Sequence, residues 1–147
     1  MIEKELVLQL REINQKAASI MQQKFDDHEL TIGLLHLLIT IMNRPNTTQK
    51  ELAREMRFTE GAMSISVKRL IKLNMVEQVQ SQSDGRCNVL VVTEKGKLVI
   101  NDYEHYLHGI LKDIFKGCKP DELLQINQFL MKIKGNLDQM QKDMDKR

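Results

Sequence analysis

The 147-residue sequence predicts a mainly α fold that carries one small antiparallel β-ribbon. Three observations predict it. Apolar residues recur at three- and four-residue steps near both ends of the chain, as on helices that each bury one face. Two short helical segments, 48–56 and 59–73, follow one another across a brief turn, which is a helix-turn-helix arrangement. Two strand-like runs, "MVEQVQ" and "CNVLVVT", flank the glycine-containing "SQSDGR" and read as a hairpin. A 41% hydrophobic content suits a single globular domain over residues 1–147 with a core of its own.

The first helix is expected over Glu3 to Phe25, where Leu6, Leu10, Ile13, Ala17 and Ile20 form a stripe that needs a partner. "DDHELT" breaks it. Thr31 then caps a helix whose run Ile32 to Met42 is apolar enough to be buried on most sides, and Asn43-Arg44-Pro45-Asn46 ends it. Thr48-Gln49-Lys50-Glu51 fits a capping box, with Glu51 expected to reach back to the cap amide. After Arg57-Phe58, Thr59 caps a longer helix with Met63, Val67, Leu70 and Ile71 inward and Glu60, Gly61, Ser64, Ile65 and Lys68 outward or at the edge. Asn74 suits a left-handed C-cap. The ribbon follows and must lean on helices, since two strands alone are marginal. Thr93 caps a long helix to about Lys116, and Gly117 and Pro120 punctuate its end. In the last helix Leu123, Ile126, Leu130, Ile133, Leu137, Met140 and Met144 make a regular apolar seam.

Composition excludes several classes. The longest apolar run, "LLHLLITIM", is far short of the ~20 residues that span a bilayer, and "MIEKELVLQL" lacks the basic start of a signal peptide. A cytoplasmic location without membrane contact is expected. Cys87 and Cys118 form neither a disulfide framework nor a thiolate zinc pattern. There is no phosphate-binding glycine loop and no nucleophile motif, so no catalytic residues and no cofactor are expected. The net charge of +2 is small, but residues 48–97 hold nine Lys/Arg against six Asp/Glu. The basic excess therefore sits on the helix-turn-helix and ribbon, where a polyanion would be met.

"LAREMRFTEGAMSISVKRLIKLNMVEQ" followed by "SDGRCNVLVVTEKGK" resembles the winged helix-turn-helix of the MarR family of bacterial transcription regulators. The specific match is Leu52 to Gly96, with Asp84-x-Arg86 at the tip of the ribbon, or wing, and Val92-Thr93-Glu94-Lys95-Gly96 after it. The resemblance implies a DNA-binding lobe over about 30–93 and dimerisation helices over about 3–25 and 94–145. It implies a homodimeric repressor on an inverted-repeat operator in double-stranded DNA, released by a small aromatic or amphipathic effector. Helix 59–73 is then the recognition helix. Thr59, Gly61, Ser64, Ser66, Lys68, Arg69 and Lys72 are its expected DNA contacts, because a major groove about 12 Å wide admits one α-helix. Arg86 is expected beside the backbone or in the minor groove, with Asp84 orienting it or bracing the neighbouring helix. Ile65 and Ser66 depart from the family pattern, which often has a basic and an apolar residue there, and Asn74 replaces a frequent glycine.

Met21, His36 and Tyr106 are the expected effector-pocket residues, on the first, second and fifth helices. His105 and His108 lie three apart on one helix, and with His36 they offer weak candidates for a zinc-responsive version of the same regulator. Four scattered histidines are more commonly surface or core residues. Cys87 adjoins Arg86, a setting that can lower a thiol pKa, although a lone strand cysteine is more commonly packing. A further alternative is a winged-helix module that binds protein and not DNA.

Overall fold

A computed structural model describes residues 1–81 and 88–147, the side chain of Asp27 excepted. Asp84, Gly85, Arg86 and Cys87 lie outside the described residues. Among the described residues six α-helices run in the order α1 (Ile2–Phe25), α2 (Ile32–Asn43), α3 (Gln49–Glu55), α4 (Glu60–Lys72), α5 (Glu94–Ile114) and α6 (Pro120–Asp145). Strands β1 (Val76–Gln80) and β2 (Asn88–Val92) stand between α4 and α5 and pair antiparallel, from Val76 opposite Val92 to Gln80 opposite Asn88. The fold is thus mainly helical with one two-stranded ribbon. Among the described residues no helix is long and apolar enough to cross a membrane. The chain divides into two compact units, Met1–Glu104 and His105–Arg147.

The first unit holds the core. Phe25, Leu30, Leu35, Leu37, Leu38, Leu52, Met63, Leu70 and Met75 are buried together, closed on the ribbon side by Val76, Leu90 and Val92 and on α5 by Val99 and Ile100. Removing such side chains from water is the main favourable term available to this lobe. α1 joins the core only at its end: Met21 and Phe25 are buried, while Leu6, Leu10, Ile13 and Ile20 stay exposed.

Local hydrogen bonds set the joints. Gln22 fastens α1 to α2, its amide donating to the Leu30 carbonyl at 2.6 Å and its oxygen accepting from the Ile32 amide at 2.9 Å. That side chain satisfies the carbonyl of Leu30, which precedes the helix, and the amide of Ile32, which as the first residue of α2 has no helical acceptor. Thr31 caps α2 by accepting from the Leu34 amide. Phe25 also meets the Tyr103 ring, centroids 5.5 Å apart, beside a Lys24–Asp102 ion pair of 3.6 Å, so the end of α1 and the start of α5 share one contact.

The second unit comprises the remainder of α5 and α6. Gly117 takes a φ of +86°, a left-handed turn that a side chain would strain, and Pro120 opens α6. The Lys119 amide donates to the Glu122 carboxylate at 2.9 Å. No residue of α6 is buried. Its seam from Ile126 to Met144, like the stripe on α1, is exposed apolar surface, and Leu123 at its start is half-buried.

Candidate nucleic-acid interface

α3 and α4 are short, so their capping matters to whether they form at all. Thr48 accepts from the Glu51 amide at 3.2 Å, which starts α3 as the sequence predicts. The Glu51 carboxylate accepts from the Thr48 hydroxyl at 3.0 Å, where the capping-box pattern predicts a return to the backbone amide. α3 ends where Arg57 adopts a left-handed φ of 56° and the Phe58 amide donates to the Ala53 carbonyl at 2.9 Å. This closed turn fixes the angle at which α4 leaves. Thr59 then caps α4 by accepting from the Ala62 amide at 3.0 Å.

Met63, Val67 and Leu70 are the buried positions of α4. At about 100° per residue the helix face opposite them is centred on position 65, with 61, 68 and 72 beside it. Gly61, Lys68, Arg69 and Lys72 are exposed, and Thr59 is exposed at the cap. Ser64 and Ser66 are half-buried and stand on the two flanks, while Ile65 is 73% exposed. The sequence pattern puts Ile65 outward or at the edge, and it is not among the expected contacts Thr59, Gly61, Ser64, Ser66, Lys68, Arg69 and Lys72. The inward positions 63, 67 and 70 already contain the phase that puts 65 at the centre.

Arg69 is not a simple outward cation. Its guanidinium pairs with Glu29 at 3.3 Å, across forty residues of sequence, and ties α4 to the turn before α2. Both side chains keep solvent contact, so the pair is weak and exchangeable.

The end of α4 is bolted to the start of α5. Asn74 takes the left-handed φ of 61° that its sequence position suggests, and the Met75 amide donates to the Leu70 carbonyl at 3.0 Å. The Thr93 hydroxyl donates to the Asn74 carbonyl at 2.6 Å, and the Thr93 amide donates to the Met75 carbonyl at 3.0 Å. Lys95 donates to the Leu73 carbonyl at 2.8 Å, a cation placed on the negative end of α4. Thr93 also accepts from the Gly96 amide at 3.1 Å, capping α5. Gly96 is required by contact: a Cβ there would collide with the Met75 carbonyl oxygen and stand 2.7 Å from Val92. β1 and β2 therefore leave this junction as a braced pair, and the Asp84-x-Arg86 tip that joins them is outside the described residues.

The expected effector residues are dispersed. His36 is exposed on α2 and lines a cleft of about 600 Å³ with Ile32, Thr40, Arg44, Met56 and Phe58. Arg44 bridges to Glu55 across it at 3.0 Å. Met21 is buried in α1 and is not part of that cleft, and Tyr106 belongs to the second unit. His105 and His108 are exposed in the second unit. Among the described residues no group of three or more His, Cys, Asp or Glu is placed to hold a metal ion. Cys118 is free and exposed.

A sequence model of the MarR family matches residues 30–86. The chain is 27% identical over 104 residues to the HTH-type transcriptional regulator BilQ of Clostridium symbiosum, an alignment covering 71% of this chain and 72% of that protein. Among solved structures it resembles Streptococcus pneumoniae FabT in complex with DNA, with a TM-score of 0.82 at 20% identity over 94% of this chain and 99% of that one. It also resembles the S. aureus MepR–DNA complex, with a TM-score of 0.74 at 16% identity over 87% of this chain and 93% of that one.

Proposed function

We propose, from the premise that this chain is a winged helix-turn-helix protein of the MarR family through its residues 30–86, that it is a homodimeric transcription regulator that binds duplex DNA. The observation that carries the reading is α4 itself. It is anchored on one side by Met63, Val67 and Leu70, held at a fixed angle by the closed α3–α4 turn, and left open on the other side with Lys68 and Lys72 outward. A helix held in this way can enter a major groove without rearranging.

The exposed stripe on α1 and the uncovered seam on α6 support a dimer, since each is a regular apolar surface that a second copy would cover. Two-fold symmetry then calls for an inverted-repeat site with half-sites about 10 bp apart. Arg86 is assigned to the flanking minor groove or backbone from its place in the sequence, with Asp84 as its brace. The reading extends to a repressor released by a small aromatic or amphipathic effector entering beside His36, where Met56 and Phe58 offer apolar surface next to Arg44. An effector must bind the released arrangement better than the DNA-bound one.

The test is selection of bound sequences from random duplex DNA by the full-length protein, followed by affinity measurements against salt. Lys68, Lys72 and Arg86 from two protomers neutralise about six phosphates, which gives a log–log slope of about −5. Affinity should fall by about 10³ between roughly 50 and 200 mM salt. Affinity independent of salt, or no selected sequence, refutes the reading in favour of a protein-binding module.

A further inference from the structure

We infer that Ile65 is a specificity-determining residue of the recognition helix and reads the 5-methyl group of thymine in the major groove. The assignment rests on the DNA-binding reading of α4 and names what that surface recognises. Ile65 is 73% exposed, more than any other large apolar side chain on α4, and it sits opposite the buried Met63, Val67 and Leu70. A single exposed isoleucine is ordinary on a protein surface. Its setting is not. The outward face runs from Gly61 and Ala62, through Ile65, to Lys68 and Lys72, all exposed. Nothing stands within 4 Å of where a Gly61 Cβ would be, so the first turn of α4 is open to close approach by a partner. The cations lie one and two turns further on, where they suit phosphates that flank a groove.

Of the groups on the major-groove edges of the four bases, only the thymine 5-methyl is apolar. Isoleucine has no donor or acceptor and cannot satisfy guanine O6 and N7, adenine N6 or cytosine N4. Pressing it against those groups strips their water without replacement. Against thymine it removes two apolar surfaces from water at once. The centre of the reading face therefore selects T·A by an apolar contact and by the penalty against the alternatives, while the half-buried Ser64 and Ser66 approach from the flanks.

The experiment uses the full-length dimer and the duplex it selects from random sequence, with each thymine replaced in turn by uracil, which removes the methyl and nothing else. One thymine in each half-site should show a loss of about fourfold on replacement, the transfer value of one methyl-sized group, and about sixteenfold when both are replaced. Ile65→Ala should bind the thymine and uracil duplexes equally while keeping the wild-type melting temperature and salt slope. A selected duplex lacking thymine, uracil duplexes bound as tightly as the parent, or the same uracil loss in Ile65→Ala each overturns the assignment while leaving the regulator reading intact. If no duplex is bound with salt-dependent affinity, both readings fall together. Retained discrimination with lost recruitment of another protein would assign Ile65 to a protein contact instead.

Discussion

Replacing Gly96 with alanine adds one methyl group where, among the described glycines, a Cβ would meet the closest neighbour. The new Cβ would collide with the Met75 carbonyl oxygen and lie 2.7 Å from Val92, so the first turn of α5 must retreat by several tenths of an ångström. Overpacking of this kind costs about 2 kcal/mol. The retreat also stretches the Thr93–Met75, Thr93–Asn74 and Lys95–Leu73 hydrogen bonds, for about 2 kcal/mol more. Alanine returns about 1 kcal/mol in helix propensity. The net loss is about 3 kcal/mol, or roughly 6–12 °C in melting temperature for a chain of this size. Thermal unfolding followed by circular dichroism, at one protomer concentration for wild type and variant, measures it. Gly61→Ala is the matched control, because its Cβ meets nothing within 4 Å, and it should leave the melting temperature level or raise it. A Gly96→Ala protein that melts at or above the wild type refutes the junction as described.

Charging the α6 seam with Leu130→Glu or Leu137→Glu should convert the dimer to monomer or unfold it, read by analytical sedimentation; a well-folded wild-type monomer at micromolar concentration removes the dimer from the scheme. Arg86→Ala should weaken operator affinity while leaving the dimer intact, as measured by fluorescence anisotropy, and unchanged affinity would take the wing tip out of DNA binding. Glu29→Gln should shift stability by no more than ~0.5 kcal/mol in chemical denaturation, because the Arg69 pair is solvated, while raising DNA affinity by freeing Arg69; a fall in affinity would make Arg69 a bracing residue and not a contact. His36→Ala should blunt effector-driven release without abolishing DNA binding, and a full response in that variant would move the effector site away from the cleft beside His36.

What could be read along the chain was mostly what is encoded within a few residues. The caps at Thr31, Thr48, Thr59 and Thr93 and the left-handed Asn74 depend on neighbours three or four positions away, and all five stand where their spacing puts them. The ribbon was legible for the same reason, because a turn signal between two β-branched runs is local. Gln22 was not. Its two backbone partners lie eight and ten residues on, and only the path of the intervening 3-10 turn brings them within reach. The Arg69–Glu29 pair was beyond any periodicity, since it forms between segments that meet only after the core has closed. At the candidate site, residue type drew attention to Ser64 and Ser66 because hydroxyls can hydrogen-bond bases, whereas helical phase gives the central place to Ile65. The expectation of Met21, His36 and Tyr106 in one pocket rests on their chemical character and their place near the hinge of the first, second and fifth helices, and the described structure does not gather Met21 and His36 into one cleft.

Every buried side chain among the described residues falls between Met21 and Ile100. The first twenty residues and the last forty-seven contribute none. Such a chain carries two kinds of constraint that can drift separately over generations. Substitutions between 21 and 100 must preserve a close-packed interior, so neutral change there is confined to the outward positions, about half of the described residues in that span. Outside Tyr103, whose ring packs against the core at Phe25, substitutions in the two arms remove no side chain from the interior. On the proposed dimer, duplicated copies would therefore diverge first in the arms, stop recognising one another, and become independent genes while their lobes still fold alike.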